Sequence, residues 1–171
     1  YSAPGTAVKE AYDTSGIVTN DRGVTVWLKG NRVSRNQIMA IKEESVTEQK
    51  NSLAVCLDNI LRHAGITRNT EYDLAQGKTA TTILSENMTG VQVLDLSGCT
   101  LDAVLYYVNQ DIPVLAILED GEAVLVTGFN EFNVVIMEPA TGKLYKKGMN
   151  DATAWFAENG NHFITYMRTE N

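Results

Sequence analysis

From Ile112 to Lys146 the chain consists of short apolar runs separated by short turns. Ile112 to Leu118, Ala123 to Phe129, Val134 to Met137 and Leu144 to Lys146 read as strands. Glu119-Asp120-Gly121, Asn130-Glu131 and Pro139 to Lys143 read as the turns between them. A parallel partner needs a crossover of roughly a dozen residues, so turns this short force neighbouring strands to pair antiparallel. This part of the fold is therefore a meander.

Helical patterns come before it. Asn51-Ser52 opens the clearest helix, in which Leu53, Cys56, Leu57, Ile60, Leu61 and Ala64 form one apolar stripe of helical period and Gly65 supplies the closing turn. Thr70-Glu71-Tyr72-Asp73 has the form of a capping box and starts a short helix ending near Gly77. Thr79 to Glu86 reads as helix, and Val91 to Leu96 as strand or extended link. Thr100 caps a helix whose inward face is Leu101, Val104, Leu105 and Val108. On that helix Tyr106 and Tyr107 are adjacent, so only one of them can face the core squarely. Nearer the start, residues 8–22 are polar and read as partly extended, Val24 to Leu28 as a strand, and Ser34 to Glu44 as a capped helix. After the meander, Asn150 or Asp151 caps a helix through Glu158, and His162 to Met167 is a last strand. Helices first and strands second define an α+β fold. The expected organisation is an N-terminal polar segment, 1–22, and a single domain, 23–171, a size that buries a core unaided.

The formal net charge of −7 argues against nucleic acid, because phosphate contacts need clustered Lys and Arg. No apolar run approaches the roughly 18 residues of a membrane span, so no membrane insertion by this segment is expected. No signal peptide is visible, which leaves the compartment open. The two cysteines, Cys56 and Cys99, form no Cys-x-x-Cys pair, and two His are too few for a His-rich site, so neither metal nor cofactor is expected. The expected state of the cysteines is two buried thiols, with a Cys56–Cys99 disulfide as the alternative. Glu119, Asp120, Glu122 and Glu131 gather at one hairpin end, but their spacing fits no calcium loop and reads as a solvated turn.

The order of elements is a helix closed by Gly65, small helices, the helix from Thr100, and an Ile-Pro-Val strand. Then come Gly121-Glu122-Ala123-Val124-Leu125-Val126-Thr127-Gly128-Phe129, the turn Glu138-Pro139-Ala140-Thr141-Gly142-Lys143, and a Trp155-Phe156…Gly160…Phe163-Ile164 segment. This resembles the papain-like bacterial cysteine peptidases of the bacteriocin-processing, double-glycine type, over roughly residues 50–167. The resemblance implies a papain-like fold with N-terminal helices, including a central helix, packed on a C-terminal antiparallel sheet. In that family the nucleophilic Cys opens the central helix, where the dipole and free amides lower its pKa and hold an oxyanion. A His base follows the first Gly of the strand, and an orienting Asp precedes the Pro.

The family spacing carries these roles onto Ser52, Glu122 and Glu138. The position of the oxyanion Gln falls on Val46, with Gln49 out of register. No catalytic residue is therefore expected, because losing members of such a unit removes most of its rate. Ser52 reads equally as a helix N-cap. Ser52, Glu122, Glu138 and Gln49 are instead expected to border a binding cleft. The resemblance implies a pseudopeptidase that holds a peptide or protein partner, as part of a larger exported or membrane-anchored, extracytoplasmic bacterial protein; a cytoplasmic location is the alternative. The alternative function is an active cysteine peptidase using Cys99, just before a helix N-terminus, or Cys56. For Cys56, His63 lies two helical turns away, ~10 Å along the axis at 1.5 Å per residue.

Overall fold

The computed structural model describes residues 4–14, 16–19, 25–28 and 51–169. The helix expected over Ser34 to Glu44, together with Val46 and Gln49, lies outside these described residues. The first described element is a helix, α1 (Pro4–Thr14), followed by strand β1 (Ile17–Thr19). Residues 8–22 are partly extended as read, in β1, but residues 8–14 belong to a helix that the reading did not include. Val8, Ala11 and Tyr12 have the three- and four-residue spacing of a helical face; Val8 and Ala11 are buried, and Tyr12 packs against the same core. Pro4 sits at the first helical position, where its missing N–H costs nothing. At Gly5 a Cβ would stand 3.1 Å from the carbonyl oxygens of Asp95 and Ser97, so the close approach of α1 needs a residue without one. Strand β1 pairs antiparallel with β2 (Thr25–Leu28).

The helices α2 (Ser52–His63), α3 (Thr70–Ala75) and α4 (Ala80–Asn87) follow, then strand β3 (Val91–Asp95) and helix α5 (Leu101–Asn109). The meander is β4 (Val114–Ile117), β5 (Ala123–Phe129), β6 (Asn133–Glu138) and β7 (Lys143–Gly148). It is completed by helix α6 (Met149–Glu158) and strand β8 (His162–Arg168). The main sheet runs β3-β8-β4-β5-β6-β7, antiparallel throughout. The last strand thus returns to lie between the third and fourth, tying the C-terminal end of the domain to its middle. The α+β architecture with an antiparallel sheet is what the sequence pattern implied; that the sheet has six strands is seen in the structure.

Every residue of β5 is buried. Alternate residues of a strand face opposite sides, so both faces of β5 are covered. Helices α2 and α5 both pack on it. On α5, Tyr107 is buried and donates its hydroxyl to the Val26 carbonyl at 2.8 Å, whereas Tyr106 is half-buried and sets its ring at a tilt to that of Trp27. Trp27 in turn donates its indole N–H to the Ala103 carbonyl at 2.9 Å, so β2 is pinned to α5 by paired polar tips inside an apolar contact.

The caps of α3 and α6 differ from the pattern-based expectation. Asn69, not Thr70, caps α3: its side chain accepts from the Glu71 N–H, while the Thr70 hydroxyl is turned inward to Asp58 Oδ1, 2.7 Å, and the Ala54 carbonyl, 3.1 Å. Neither Asn150 nor Asp151 caps α6; Gly148 holds that place without a side-chain bond.

Candidate functional site

Helix α2 starts with Asn51 as its cap. The Asn51 side chain accepts from the Leu53 N–H at 2.9 Å, which satisfies one of the free amides at the helix end. Ser52 is therefore the first helical residue and not the cap, a correction to the simplest reading of its role. Its side chain is turned toward the sheet, where the Ala123 N–H donates to Ser52 Oγ at 2.9 Å. One bond thus joins the first turn of the central helix to the first residue of β5, across 71 residues of sequence.

Glu122 immediately precedes that amide. Its own N–H donates to Asp120 Oδ1 at 3.0 Å and its carbonyl accepts from the Leu118 N–H at 2.7 Å, so the backbone is fixed by the turn while the side chain is exposed. Glu138 ends β6. One step beyond the Leu125–Met137 pair, the register sets it opposite Val124, two residues along from Glu122 and so on the same face of the strands. Glu138 is exposed, pairs with Lys143 in the neighbouring strand, and accepts from the Thr141 hydroxyl at 3.3 Å. Burial, and then the Glu138 charge, push the Tyr145 phenol above its ordinary range. The structure therefore brings Ser52 against the start of the strand that Glu122 precedes, with Glu138 on the next strand. Gln49 lies outside the described residues. The amide of Ala123 was not legible in the sequence, because a backbone donor has no residue signature.

The thiols lie elsewhere and are unpaired with one another. Cys56 is 0 % exposed, and burial pushes its pKa well above the ordinary value. Cys99 is 1 % exposed and donates to the Gly5 carbonyl at 3.3 Å. Burial raises it to about 11, with Lys9 opposing the shift. The His63 Nε2 lies 2.8 Å from the Asp111 carbonyl, an acceptor, so that nitrogen carries a proton and is engaged there. His162 opens β8, paired with Ile117. Among the described residues no hydrogen bond joins a thiol to an imidazole, and no group of three or more His, Cys, Asp or Glu is placed to hold a metal ion.

Against known proteins, no protein-family model matches the chain and no curated protein matches it. Among solved structures, it is similar to the crystal structure of a Bacillus anthracis protein assigned as a C39-like peptidase. The TM-score is 0.67 at 12 % identity, over 81 % of this chain and 100 % of that one. The fold is that of the C39-like peptidases, within the papain-like α+β class.

Proposed function

We propose that this domain is a pseudopeptidase: a C39-like fold that holds a peptide or protein segment without cutting it. The observation that carries the reading is the 2.9 Å bond from the Ala123 N–H to Ser52 Oγ. It supports the placing of Ser52 at the nucleophile position, beside the strand start where the family places its base. The chemistry found there is unsuited to attack. A hydroxyl needs a positioned base far more than a thiol does. The group that meets Ser52 Oγ is a donor, which cannot take its proton. The neighbouring Glu122 offers an exposed carboxylate where the family has an imidazole. The alternative, catalysis by Cys56 or Cys99, finds both thiols buried and raised in pKa, the opposite of an activated nucleophile. On the resemblance, the domain is also proposed to serve outside the cytoplasm, within a larger exported or membrane-anchored bacterial protein.

The test is peptide display on the immobilised domain, followed by affinity measurement and mass spectrometry of the selected peptides. The expected result is binding weakened about tenfold or more by a Ser52→Arg, Glu122→Arg double variant, with the peptides intact after prolonged incubation. Cleavage abolished by Cys99→Ala or Cys56→Ala would overturn the reading, as would selected peptides indifferent to the double variant.

A further inference from the structure

The main sheet has two edges, β3 and β7, and their surroundings differ. Helices α1 and α4 pack against β3, and Gly5 of α1 comes so near that a Cβ there would stand 3.1 Å from the Asp95 carbonyl oxygen. Strand β7 has β6 on one side, and among the described residues no strand pairs with its other side. Helix α6 packs on β7 and on β6 alike, so it lies across a face of the sheet and not along the edge. An edge strand turns every second N–H and C=O away from its neighbour. The Met149 N–H donates to the Phe132 carbonyl at 2.7 Å, one step past the Asn133–Gly148 pair. Bonded and non-bonded pairs alternate along an antiparallel ladder, so Val134–Lys147 and Ile136–Tyr145 are bonded pairs, and Lys146 and Gly148 turn their N–H groups outward.

The same edge reverses the charge of the chain. Lys143, Lys146 and Lys147 put three of its 14 Lys and Arg into the six residues of β7, against a net charge of −7. Lys143 stands opposite Glu138. Lys146 is exposed, and Lys147 sets its Nζ 4.9 Å from the centre of the Trp155 ring, a neutral partner that leaves the charge in place. Neither Lys146 nor Lys147 pairs with a carboxylate among the described residues. Two lysines on an edge repel the same edge of a second copy, because pairing brings like charges together. They attract a strand that carries carboxylates at the facing places. Tyr145, 37 % exposed, adds apolar surface beside them.

We propose that the β7 edge from Tyr145 to Gly148 takes an extended acidic peptide segment as a further strand of the sheet. The segment exchanges two backbone hydrogen bonds with Lys146 and accepts another from the Gly148 N–H. Two consecutive carboxylates in it stand opposite Lys146 and Lys147, since neighbouring residues of both strands face opposite sides, and an apolar residue lies beside Tyr145. This part of β7 is at the end away from Glu138, and the proposal stands or falls independently of the pseudopeptidase reading.

The experiment is amide-resolved NMR on the whole chain, titrated with the capped peptide Thr-Val-Glu-Glu-Val-Thr, whose symmetric pattern fits either strand direction. The controls are the same peptide with Gln-Gln at its centre and one N-methylated at both Glu. The Lys146 and Gly148 amides are expected to shift and to exchange with solvent more slowly. The Gln peptide is expected to bind about fivefold more weakly and the N-methylated one about tenfold or more. The double variant Lys146→Glu, Lys147→Glu should weaken binding about tenfold or more. Lys146→Pro removes the outward N–H and leaves the ladder to β6 intact, so it should melt near the natural chain and bind about fivefold more weakly. The proposal is overturned if the Lys146 and Gly148 amides stay still at a few millimolar peptide, if the Gln peptide binds equally, or if the shifts gather around Ser52 instead. It is also overturned if Lys146→Pro unfolds, because that N–H would then belong to the ladder. Shifts of the same amides with protein concentration alone would put a second copy on the edge and overturn the acidic segment.

Discussion

Ser52 and Cys56 lie one turn apart on the same helix, and their surroundings are opposite. Ser52 is half-buried, at a helix start with unsatisfied amides, bonded to the edge of the sheet core. Cys56 is sealed beneath the apolar stripe with Leu57 and Ile60. The first position has the dipole, the free amides and access to water that an attacking anion needs, but carries a hydroxyl. The second has the thiol, in a medium that suppresses its anion. Four residues of helix therefore separate the environment for nucleophilic chemistry from the atom that could perform it. The same holds at Cys99: it precedes a helix N-terminus, but it is buried and its S–H donates to the Gly5 carbonyl of α1.

The comparison breaks most visibly under a buried charge. Cys56→Asp is expected to cost about 3–5 kcal/mol, because an unpaired carboxylate is trapped in the core. That is a large share of the stability of a domain of this size. Ser52→Asp is expected to change stability by no more than about 1 kcal/mol, since a negative charge at a helix start is favourable and the site reaches water. Urea unfolding of the two variants against the natural chain measures the difference. Similar costs at both positions would mean that the two sites are equally dry, and the contrast would be lost.

A second contrast is in pH. Both thiols are raised on folding, Cys99 from an ordinary 9.0 to about 11. A raised folded pKa contributes stability that is fully present below the unfolded pKa and is lost as pH rises through the folded one. Stability should therefore fall between about pH 9 and 11, the Tyr107 phenol, raised by burial, adding to the fall at higher pH. Chemical denaturation at pH 7, 9 and 10.5 checks this, and Cys99→Ala should flatten part of the slope. A Ser52→Cys thiol, set at the helix start, should react with iodoacetamide at neutral pH much faster than either native thiol.

The meander was legible because its evidence is local: alternating apolar runs and turns too short for a crossover. The stripe of α2 was legible for the same reason. The helix α1 was missed because its buried face is small, Ala7, Val8 and Ala11 in a polar segment, and because the fit of Gly5 against the Asp95 and Ser97 carbonyls exists only once the chain has folded. The caps of α2 and α3 were placed one residue late, since in Asn51-Ser52 and Asn69-Thr70 both residues have capping chemistry and only the tertiary partners of Ser52 and Thr70 decide which one turns inward. Ser52, Glu122 and Glu138 were singled out through a family spacing, while the bond that joins the first of them to the sheet is made by a backbone amide.

The smallest effect concerns that amide. If Ser52 serves as its acceptor and nothing more, Ser52→Ala leaves the Ala123 N–H without a partner at a half-buried joint, at a cost of about 1 kcal/mol. Asn51→Ala, which removes the cap one residue earlier, should cost about the same for a different reason, the loss of a helix-end acceptor. The two bonds share no atom, but they anchor the same turn, so the double variant tests their coupling. Simple addition in urea unfolding means that the helix start and the joint to β5 are held independently. A double cost clearly below the sum means that the cap matters because it presents Ser52 to the sheet, so that the first turn of α2 and the edge of β5 form one cooperative corner. A Ser52→Ala variant as stable as the natural chain would show that this joint does not hold the corner at all, and that the contrast with Cys56 rests on burial alone.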